Sequence, residues 1–262
     1  MIRLQILIEN TSKNCPELES EHGLSIFVET PKKIFLFDCG HTGLAWKNAA
    51  RLGVDLTQID FVVLSHAHYD HAGGFPALLN HVVPREIYTG ENFWSEKFSR
   101  AEGSYKYRGA GFTAADLKNW GVVQKICRDV LEIDENIFLV GNFERRHDFE
   151  TIPEKFVRGA EKIPDTFDDE ICLALREGDG VAVVVGCSHA GILNIVETVR
   201  ARLNLPIKSV IGGIHLADAS DERIAKTLAG LKNFGVGRLA LCHCSGEKVR
   251  ADFLTTGSVL EI

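Results

Sequence analysis

The segment "DFVVLSHAHYDHAGG" (residues 60–74) constrains the fold more than any other part of the chain. It begins with a continuous apolar run, which is typical of a β-strand buried on both faces of a sheet. Four groups that can bind a metal follow this run directly: His66, His68, Asp70 and His71. In open α/β sheets, binding groups lie in the loops beyond the carboxyl ends of the strands. The segment therefore predicts an α/β protein with a site at a strand end.

The spacing of these four side chains predicts two adjacent metal ions. His66 and His68 are two residues apart, so in an extended segment they point to the same side and can share one ion. Asp70 and His71 follow where the chain turns towards a helix, and we expect them to bind a second ion. The glycines at 73–74 would allow a tight turn there. A lone structural metal site or a chance surface cluster is the simpler alternative.

Three further histidines follow apolar strands and are expected to complete the site. His189 follows "VAVVVGCS", His215 follows "SVIGGI" and His243 follows "RLALC". Taken singly, each could instead be a hydrogen-bonded histidine of the core. Their shared position after a strand favours a common site.

The remaining histidines have less informative surroundings. His22 lies in a polar loop, where we expect it to be solvated, and His81 ends a helix, where it can cap the helix dipole. His41 follows "FDCG" at a strand end, so it is a candidate for lining the site. His147 belongs to the segment "ERRHDFE" and is considered below with its neighbours.

The order of elements predicts two sheets sandwiched between helices. The first half of the chain shows hairpins followed by a strand and a helix. The second half shows a hairpin, alternating helices and strands, and a last helix and strand. We expect one α/β domain over residues 1–262, an αββα sandwich of two mixed sheets flanked by helices. Residues 91–165 have weak periodicity and predict an insertion or lid, with a hairpin in "DVLEIDENIFLVG".

Composition excludes several classes of function. The net charge of −7 and the lack of a long basic cluster argue against a nucleic-acid partner. No apolar run approaches the roughly 18 residues of a membrane span, and the first residues turn polar too early for a signal peptide. The seven cysteines include no CxxC pair, which predicts reduced thiols in a cytoplasmic protein. Composition does not fix the oligomeric state.

The motif "SHAHYDHAGG" matches the H-x-H-x-D-H signature of the metallo-β-lactamase superfamily. The chain resembles in particular the branch named for the dihydropterin synthase of methanopterin biosynthesis, over about residues 2–260. The other motifs that carry this resemblance are "LFDCG", "ERRHDFE", "DDE", "GCSHAGILN", "IGGIHL" and "CHCSG". The resemblance implies an αββα sandwich with metals in a cleft at one edge.

The resemblance also implies roles for individual residues. His66 and His68 correspond to ligands of the first metal, and Asp70 and His71 to ligands of the second. His243, after the final strand of the pattern, corresponds to the last histidine ligand of the superfamily.

Two departures from the superfamily pattern concern the remaining ligands. The histidine expected about 20 residues before a "GD" strand end is replaced by "DTFDDE", and the "GD" itself is replaced by residues 186–187, Gly and Cys. We expect His189 to supply the missing imidazole. Cys187 is either a soft ligand or a buried neighbour, because thiolates bind zinc well. Asp168 or Asp169 is a weaker substitute.

This ligand set predicts a hydrolase that acts on a phosphoester, cyclic phosphate or lactone. Two divalent ions, most simply zinc with manganese or iron as alternatives, would lower the pKa of a water molecule and polarise the group under attack. Asp70 would orient the water while binding metal. His215 would protonate a leaving group or bind a phosphate, and it is also a less certain ligand.

Two alternatives remain. The branch resemblance implies a transferase that joins a dihydropterin diphosphate to an aminobenzene ribofuranosyl phosphate. The fold also occurs in di-iron electron-transfer or binding proteins, but these usually have a glutamate for the second histidine and an added flavin domain. The hydrolase and the transferase would each take a small anionic substrate. The candidate contacts for it, which could equally be solvated charges, are Lys97, Arg100, Lys106, Arg108, Arg145, Arg146 and His147.

Overall fold

Two mixed seven-stranded sheets pack face to face in the computed structural model, which describes residues 1–249 and 251–262. The strands are β1 (Arg3–Ile8), β2 (Ser25–Glu29), β3 (Ile34–Phe37), β4 (Phe61–Val63), β5 (Glu86–Gly90), β6 (Lys97–Ala101), β7 (Ser104–Tyr107), β8 (Val123–Cys127), β9 (Val130–Asp134), β10 (Ile137–Gly141), β11 (Phe156–Arg158), β12 (Ile163–Pro164), β13 (Ile171–Glu177), β14 (Gly180–Val185), β15 (Ile207–Gly212), β16 (Arg238–Leu241), β17 (Asp252–Phe253) and β18 (Val259–Glu261). The α-helices are α1 (Leu44–Arg51), α2 (Tyr69–Ala72), α3 (Phe75–Leu78), α4 (Ala114–Asn119), α5 (Ile192–Leu203) and α6 (Asp221–Asn233).

The two sheets repeat the same arrangement of strand directions. The first has the order β18-β1-β2-β3-β4-β5-β8, antiparallel from β18 to β3 and parallel from β3 to β8. The second has the order β9-β10-β13-β14-β15-β16-β17, antiparallel as far as β14 and parallel beyond it. The two halves of the chain therefore share one arrangement of strand directions.

Alternation along the strands divides the core into layers. On β3, Phe35 and Phe37 point into the space between the sheets, whereas Leu36 points outwards to the helices of the first half. On β14, Val184 faces the same inner layer and Val183 packs against the helices of the second half. Strands buried on both faces need apolar side chains at every position, which explains the continuous apolar runs. The predicted αββα sandwich is confirmed.

The outer helices cover the sheets with apolar faces. Helix α5 places Ile192, Ile195, Val196 and Val199 in the outer layer of the second sheet. Helix α6 begins after Ser220, whose side chain accepts a hydrogen bond from a backbone amide of the first turn. None of the helices in the described part of the chain combines the length and apolar character that a membrane span requires.

The segment 91–165 is more regular than predicted. Strand β8 forms the edge of the first sheet, and the predicted hairpin β9-β10 forms the edge of the second. The remaining strands of this segment, β6, β7, β11 and β12, build a separate four-stranded sheet. The prediction of an insertion is therefore wrong for β8, β9 and β10. The exposed edge positions of β8 and β9 weaken the apolar alternation that would have revealed them, whereas β10 lies inside the sheet and is mostly buried.

Helix α3 ends at Leu78 and the chain continues as turns. One helix prediction needs correction. The last helix expected after β16 is absent from the described residues, which form turns between Cys242 and Val249.

The glycine pair after the histidine motif is required by close packing. Both glycines lie in the predicted turn, but Gly73 has φ −62° and Gly74 has φ −75°, values that any residue adopts, so the turn conformation itself does not require glycine. A Cβ on Gly74 would instead lie 2.1 Å from the carbonyl oxygen of Cys39 and 2.5 Å from that of Thr42. The backbone after the motif therefore packs directly against the loop that follows β3.

Replacing Gly74 with alanine should destabilise the protein. The added methyl group would push apart two backbone segments, and such overpacking typically costs about 1–3 kcal/mol. Chemical denaturation of Gly74→Ala should show this loss. Gly237→Ala is the matched control, because its Cβ would lie 3.5 Å from the Lys208 carbonyl oxygen, an ordinary contact. Equal unfolding free energies for the two variants would contradict the packing argument.

Candidate metal centre

Three imidazoles from both sheets form the first group of candidate ligands. His66 and His68 follow β4 of the first sheet, and His189 follows β14 of the second. Their nearest ring nitrogens all lie within 4.8 Å of one another, and all three residues are buried. Among the described residues, Nε2 of His66, Nε2 of His68 and both ring nitrogens of His189 have no hydrogen-bond partner. Buried polar atoms are rarely left unpaired, so this group fits a bound cation.

The imidazoles of the first group are held in the neutral form, which suits them to bind a cation. Burial, reinforced by neighbouring cationic groups, holds the pKa of His66, His68 and His189 well below the ordinary histidine value. Neutral imidazole is the form that binds a metal. The structure thus brings His189 to the place where the sequence pattern lacked a histidine.

Asp70, His71 and His243 form the second group. Nε2 of His71 lies 3.2 Å from Nε2 of His243 and 3.8 Å from Oδ2 of Asp70, and His243 Nε2 lies 3.5 Å from the same oxygen. Zinc bonds of about 2.0–2.1 Å in a tetrahedron separate neighbouring ligand atoms by about 3.3–3.4 Å. The second group therefore also fits a cation.

Ionisation of Asp70 suits this arrangement. Burial alone would raise the pKa of the Asp70 carboxyl, but His71, His22 and His243 together hold it well below its usual range. The carboxylate is therefore charged at neutral pH.

A buried carboxylate orients His71. Asp38 follows β3, and its Oδ2 accepts hydrogen bonds from His71 Nδ1 at 2.7 Å and from Ser65 Oγ at 2.7 Å. Although burial opposes protonation, the Asp38 and Asp70 carboxylates raise the pKa of His71 to about 9. Carboxylates that hold the far nitrogen of a histidine in this way are typical of metal sites. The sequence analysis missed Asp38, although its place at a strand end in "LFDCG" was a usable signal.

His243 is held by the first strand of the chain. Its backbone amide donates to Glu9 Oε1 at 2.8 Å, and its Nδ1 lies 3.0 Å from Oδ1 of Asn10. These contacts leave Nε2 of His243 directed at Asp70 and His71.

Two thiols lie beside the second group. Cys187 Sγ is 3.2 Å from His71 Nε2 and 3.4 Å from Cys244 Sγ. Cys187, Cys244 and His215 form a further set whose candidate ligand atoms lie within 4.8 Å of one another. Cys244 was not predicted to belong to the site, although its neighbour His243 in the "CHC" sequence was. The structure thus places Cys187 in contact with a candidate ligand rather than apart from the site.

The acidic substitutes proposed for the missing ligand lie in other contacts. Asp169 accepts a hydrogen bond from the amide of Ala67 at 2.8 Å and pairs with the buried ammonium of Lys97. Asp168 pairs with Arg158 at 2.8 Å. Neither carboxylate belongs to a group of candidate ligands among the described residues, so the structure gives no support to the prediction that one of them replaces a ligand. Asp169 instead supports the backbone between the two histidines of the motif.

The less informative histidines have distinct surroundings. His22 is largely exposed, as predicted, and its Nε2 also lies 3.2 Å from Asp70 Oδ2, a contact that the sequence did not indicate. His41 lines a neighbouring cavity of about 480 Å³. His81 stacks on the ring of Trp46 with a centroid separation of 3.9 Å.

His68, Asp70, His189 and His243 line one cleft of about 470 Å³, with His66 and His71 fully buried behind them. Arg100, Arg108 and Lys155 line the same cleft. Of the other predicted lid cations, Lys106 lines the neighbouring cavity, and Lys97 is fully buried beneath the ligands. The four-stranded sheet therefore contributes positive charge to the mouth of the cleft.

The substrate contacts predicted from "ERRHDFE" lie outside this cleft. Arg145 donates to the carbonyl oxygen of His189 from the far side and, with His147, lines a separate cavity of about 510 Å³. Arg146 and His147 both pair with Glu197 on α5, at 2.8 Å and 2.9 Å. The prediction that Arg145, Arg146 and His147 meet a substrate beside the metals is corrected, because none of them lines this cleft. Ion pairs hold Arg146 and His147 against α5, and Arg145 donates to the backbone carbonyl oxygens of His189 and Thr166.

Residues 20–193 match the family model of the metallo-β-lactamase superfamily. The chain belongs to this superfamily. It is 30% identical, over 97% of its length and 90% of the relative, to a protein of Methanocaldococcus jannaschii named 7,8-dihydropterin-6-methyl-4-(β-D-ribofuranosyl)-aminobenzene-5'-phosphate synthase.

Solved structures of superfamily members have the same fold. A protein described as a metal-dependent hydrolase of the β-lactamase superfamily is 31% identical and superposes with a TM-score of 0.84, covering 100% of this chain and 99% of the other. Human tRNase Z, short form, superposes with a TM-score of 0.60 at 14% identity, covering 99% of each chain, and shows the fold alone.

For this superfamily member, His189→Ala should remove one bound ion. We expect protein purified without added metal to contain about two divalent ions per chain, as two-metal sites do, and the variant to contain about one. Elemental analysis measures this directly. His81→Ala, which removes the imidazole stacked on Trp46, should leave the metal content unchanged. Equal metal content in His189→Ala and the parent protein would exclude His189 as a ligand.

Proposed function

We propose that the chain is a metal-dependent hydrolase of a small anionic substrate, such as a phosphoester or cyclic phosphate. One observation carries this proposal: members of both groups of candidate ligands line one cleft together with Arg100, Arg108 and Lys155. These members are His68, Asp70, His189 and His243. Guanidinium and ammonium groups bind phosphate oxygens through charge-assisted hydrogen bonds. The 31% identical structure described as a metal-dependent hydrolase supports the same reaction class. A lactone remains a second substrate type for the same chemistry.

The two ligand groups would hold two divalent ions, zinc being favoured by their imidazoles. When bound, such ions lower the pKa of water and polarise a phosphoryl or carbonyl oxygen. The chain's own residues would then orient the attacking water and protonate the leaving group. Asp70 is ionised and faces the cleft, where its carboxylate would accept a hydrogen bond from the attacking water and so fix the position of that water.

His215 is the candidate proton donor. It lines the cleft, and its ring centroid lies 4.4 Å from that of His189. Burial opposes its protonation, but Cys244 and Glu170 raise the pKa of His215 above the ordinary value. A protonated His215 would transfer its proton to the leaving oxygen as the bond to phosphorus breaks.

A transferase is the second candidate function. The 30% identical synthase of M. jannaschii supports it. The neighbouring cavity shares His22, Tyr69 and Arg108 with the main cleft, so two substrates could bind side by side. In that reaction the same cations would bind a diphosphate leaving group. The di-iron alternative stays a prediction, which a coloured preparation would support.

Product analysis separates the two enzymes. Metal-loaded protein should convert single phosphodiesters or cyclic phosphates to monoesters, with the water oxygen incorporated into the product. Isotope-labelled water and mass spectrometry measure this. Diphosphate release that requires both a dihydropterin diphosphate and an aminobenzene ribofuranosyl phosphate, with a joined product, would contradict the hydrolase proposal and establish the transferase.

Arg108→Ala should weaken the binding of phosphorylated substrates. Loss of one charge-assisted contact should raise KM about tenfold, equivalent to about 1.4 kcal/mol, with a smaller effect on kcat. Arg85→Ala, at an exposed position before β5, is the charge-matched control. A similar increase in KM for an uncharged lactone would show that Arg108 acts on cleft structure rather than on the substrate's charge.

A further inference from the structure

Cys187, His215 and Cys244 follow three neighbouring parallel strands of the second sheet. These strands are β14, β15 and β16, whose carboxyl ends meet at the same edge. The three side chains all line the cleft. Their candidate ligand atoms lie within 4.8 Å of one another, and the two sulfur atoms lie 3.4 Å apart as free thiols. This set shares no residue with the two groups assigned above, although Cys187 adjoins the second group through its 3.2 Å contact with His71.

The atoms of this set fit a cation of the size of zinc. Zinc–sulfur bonds of about 2.3 Å in a tetrahedron separate two sulfur atoms by about 3.8 Å. The observed Sγ–Sγ distance of 3.4 Å needs only a small outward movement of Cys187 and Cys244. Nδ1 of His215 is buried and has no hydrogen-bond partner among the described residues. The set therefore combines two sulfur donors with a histidine that has an unsatisfied ring nitrogen.

The donor types select a particular class of cation. Two sulfurs and one imidazole bind Zn²⁺, Co²⁺ and other thiophilic ions, whereas Mg²⁺ and Ca²⁺ prefer oxygen ligands. Three ligands leave a fourth position for water from the cleft. A cation here would therefore exchange with the solvent more readily than one enclosed by buried histidines.

We propose that Cys187, His215 and Cys244 bind an additional thiophilic cation, and that this cation inhibits the enzyme. Binding at His215 engages the imidazole that otherwise donates a proton to the leaving group. The inhibition rests on the proposed function, whereas the binding does not. Binding releases one proton from each thiol and one from the protonated imidazole of His215, and these protons pass to solvent or buffer.

Cobalt titration of metal-free, reduced protein tests the binding. Thiolate ligation of Co²⁺ produces a near-ultraviolet charge-transfer band, which imidazole and carboxylate ligands do not produce. We expect Co²⁺ uptake to continue beyond about two ions per chain. The absorbance of the thiolate band should increase strongly in this last phase of uptake. Cys244→Ser and Cys244→Ala should lose that phase and retain the first two ions.

Cys15→Ser is the matched control, because Cys15 is a half-buried free thiol that lies outside the three ligand sets. It should titrate like the parent protein. Circular dichroism of each metal-free variant checks the fold, and agreement between the serine and alanine variants of Cys244 separates ligand loss from local distortion. An unchanged last phase in both Cys244 variants, or no uptake beyond two ions in the parent, would overturn the proposal.

Activity measured along the same titration tests the inhibition. In the parent protein, hydrolysis should rise with the first two ions and fall at least several-fold with the last phase. In Cys244→Ser, hydrolysis should show no such fall relative to that variant's own activity with two ions. Loss of the absorbance phase without relief of inhibition would overturn the inhibitory role. Absence of hydrolysis at every loading would instead contradict the proposed function, while the absorbance phase would still report on the thiol site.

Discussion

The two sheets approach each other at the cleft where there is space for a hydrogen atom but not for a methyl group. A Cβ on Gly186, directly after β14, would lie 2.2 Å from Ser65 Oγ and 3.1 Å from Asp38 Oδ2. Ser65 follows β4 and donates two hydrogen bonds to Asp38, which follows β3. This contact sets the separation between the histidines of the first sheet and His189 of the second. This close approach explains why Gly186 is kept where the usual "GD" pattern is otherwise changed to Gly and Cys.

The backbone around the cleft is locally strained. Asp38, Ser188, His215 and His243 all follow strands and have φ between 48° and 60°, in the left-handed region. Such conformations cost about 1 kcal/mol or more for a residue with a Cβ, and they persist where the surroundings fix them. Ser188, for example, donates its hydroxyl to the carbonyl oxygen of Gly213 on the neighbouring strand end. The strain turns successive side chains into the cleft instead of along the strands.

Those features explain what the sequence could predict. The strand ends were recognisable from apolar runs, so His66, His68, Asp70 and His71 could be grouped by local spacing, and His189 by its equivalent position. The layered fold followed from the same runs. These predictions depend on a few consecutive residues.

Other parts of the site depend on contacts between distant segments. The role of Asp38 requires that β3 and β4 be neighbours, and the pairing of Cys187 with Cys244 requires that three strands end at one edge. His22 reaches Asp70 from a loop that has no periodic pattern. Arg146 looked like a substrate contact because the position of Glu197 on α5 could not be inferred from spacing.

A buried ion-pair cluster completes the support of the first ligand group. Lys97 is almost fully buried between Asp165 and Asp169, and Asp169 also holds the amide of Ala67. A buried ammonium is tolerated only when carboxylates pair with it, and removing one partner is typically costly. The pair therefore fixes the backbone between His66 and His68 through interactions that an apolar core could not supply. The charge of Lys97 also adds to burial in lowering the pKa of both imidazoles, which keeps their ring nitrogens free to bind a cation.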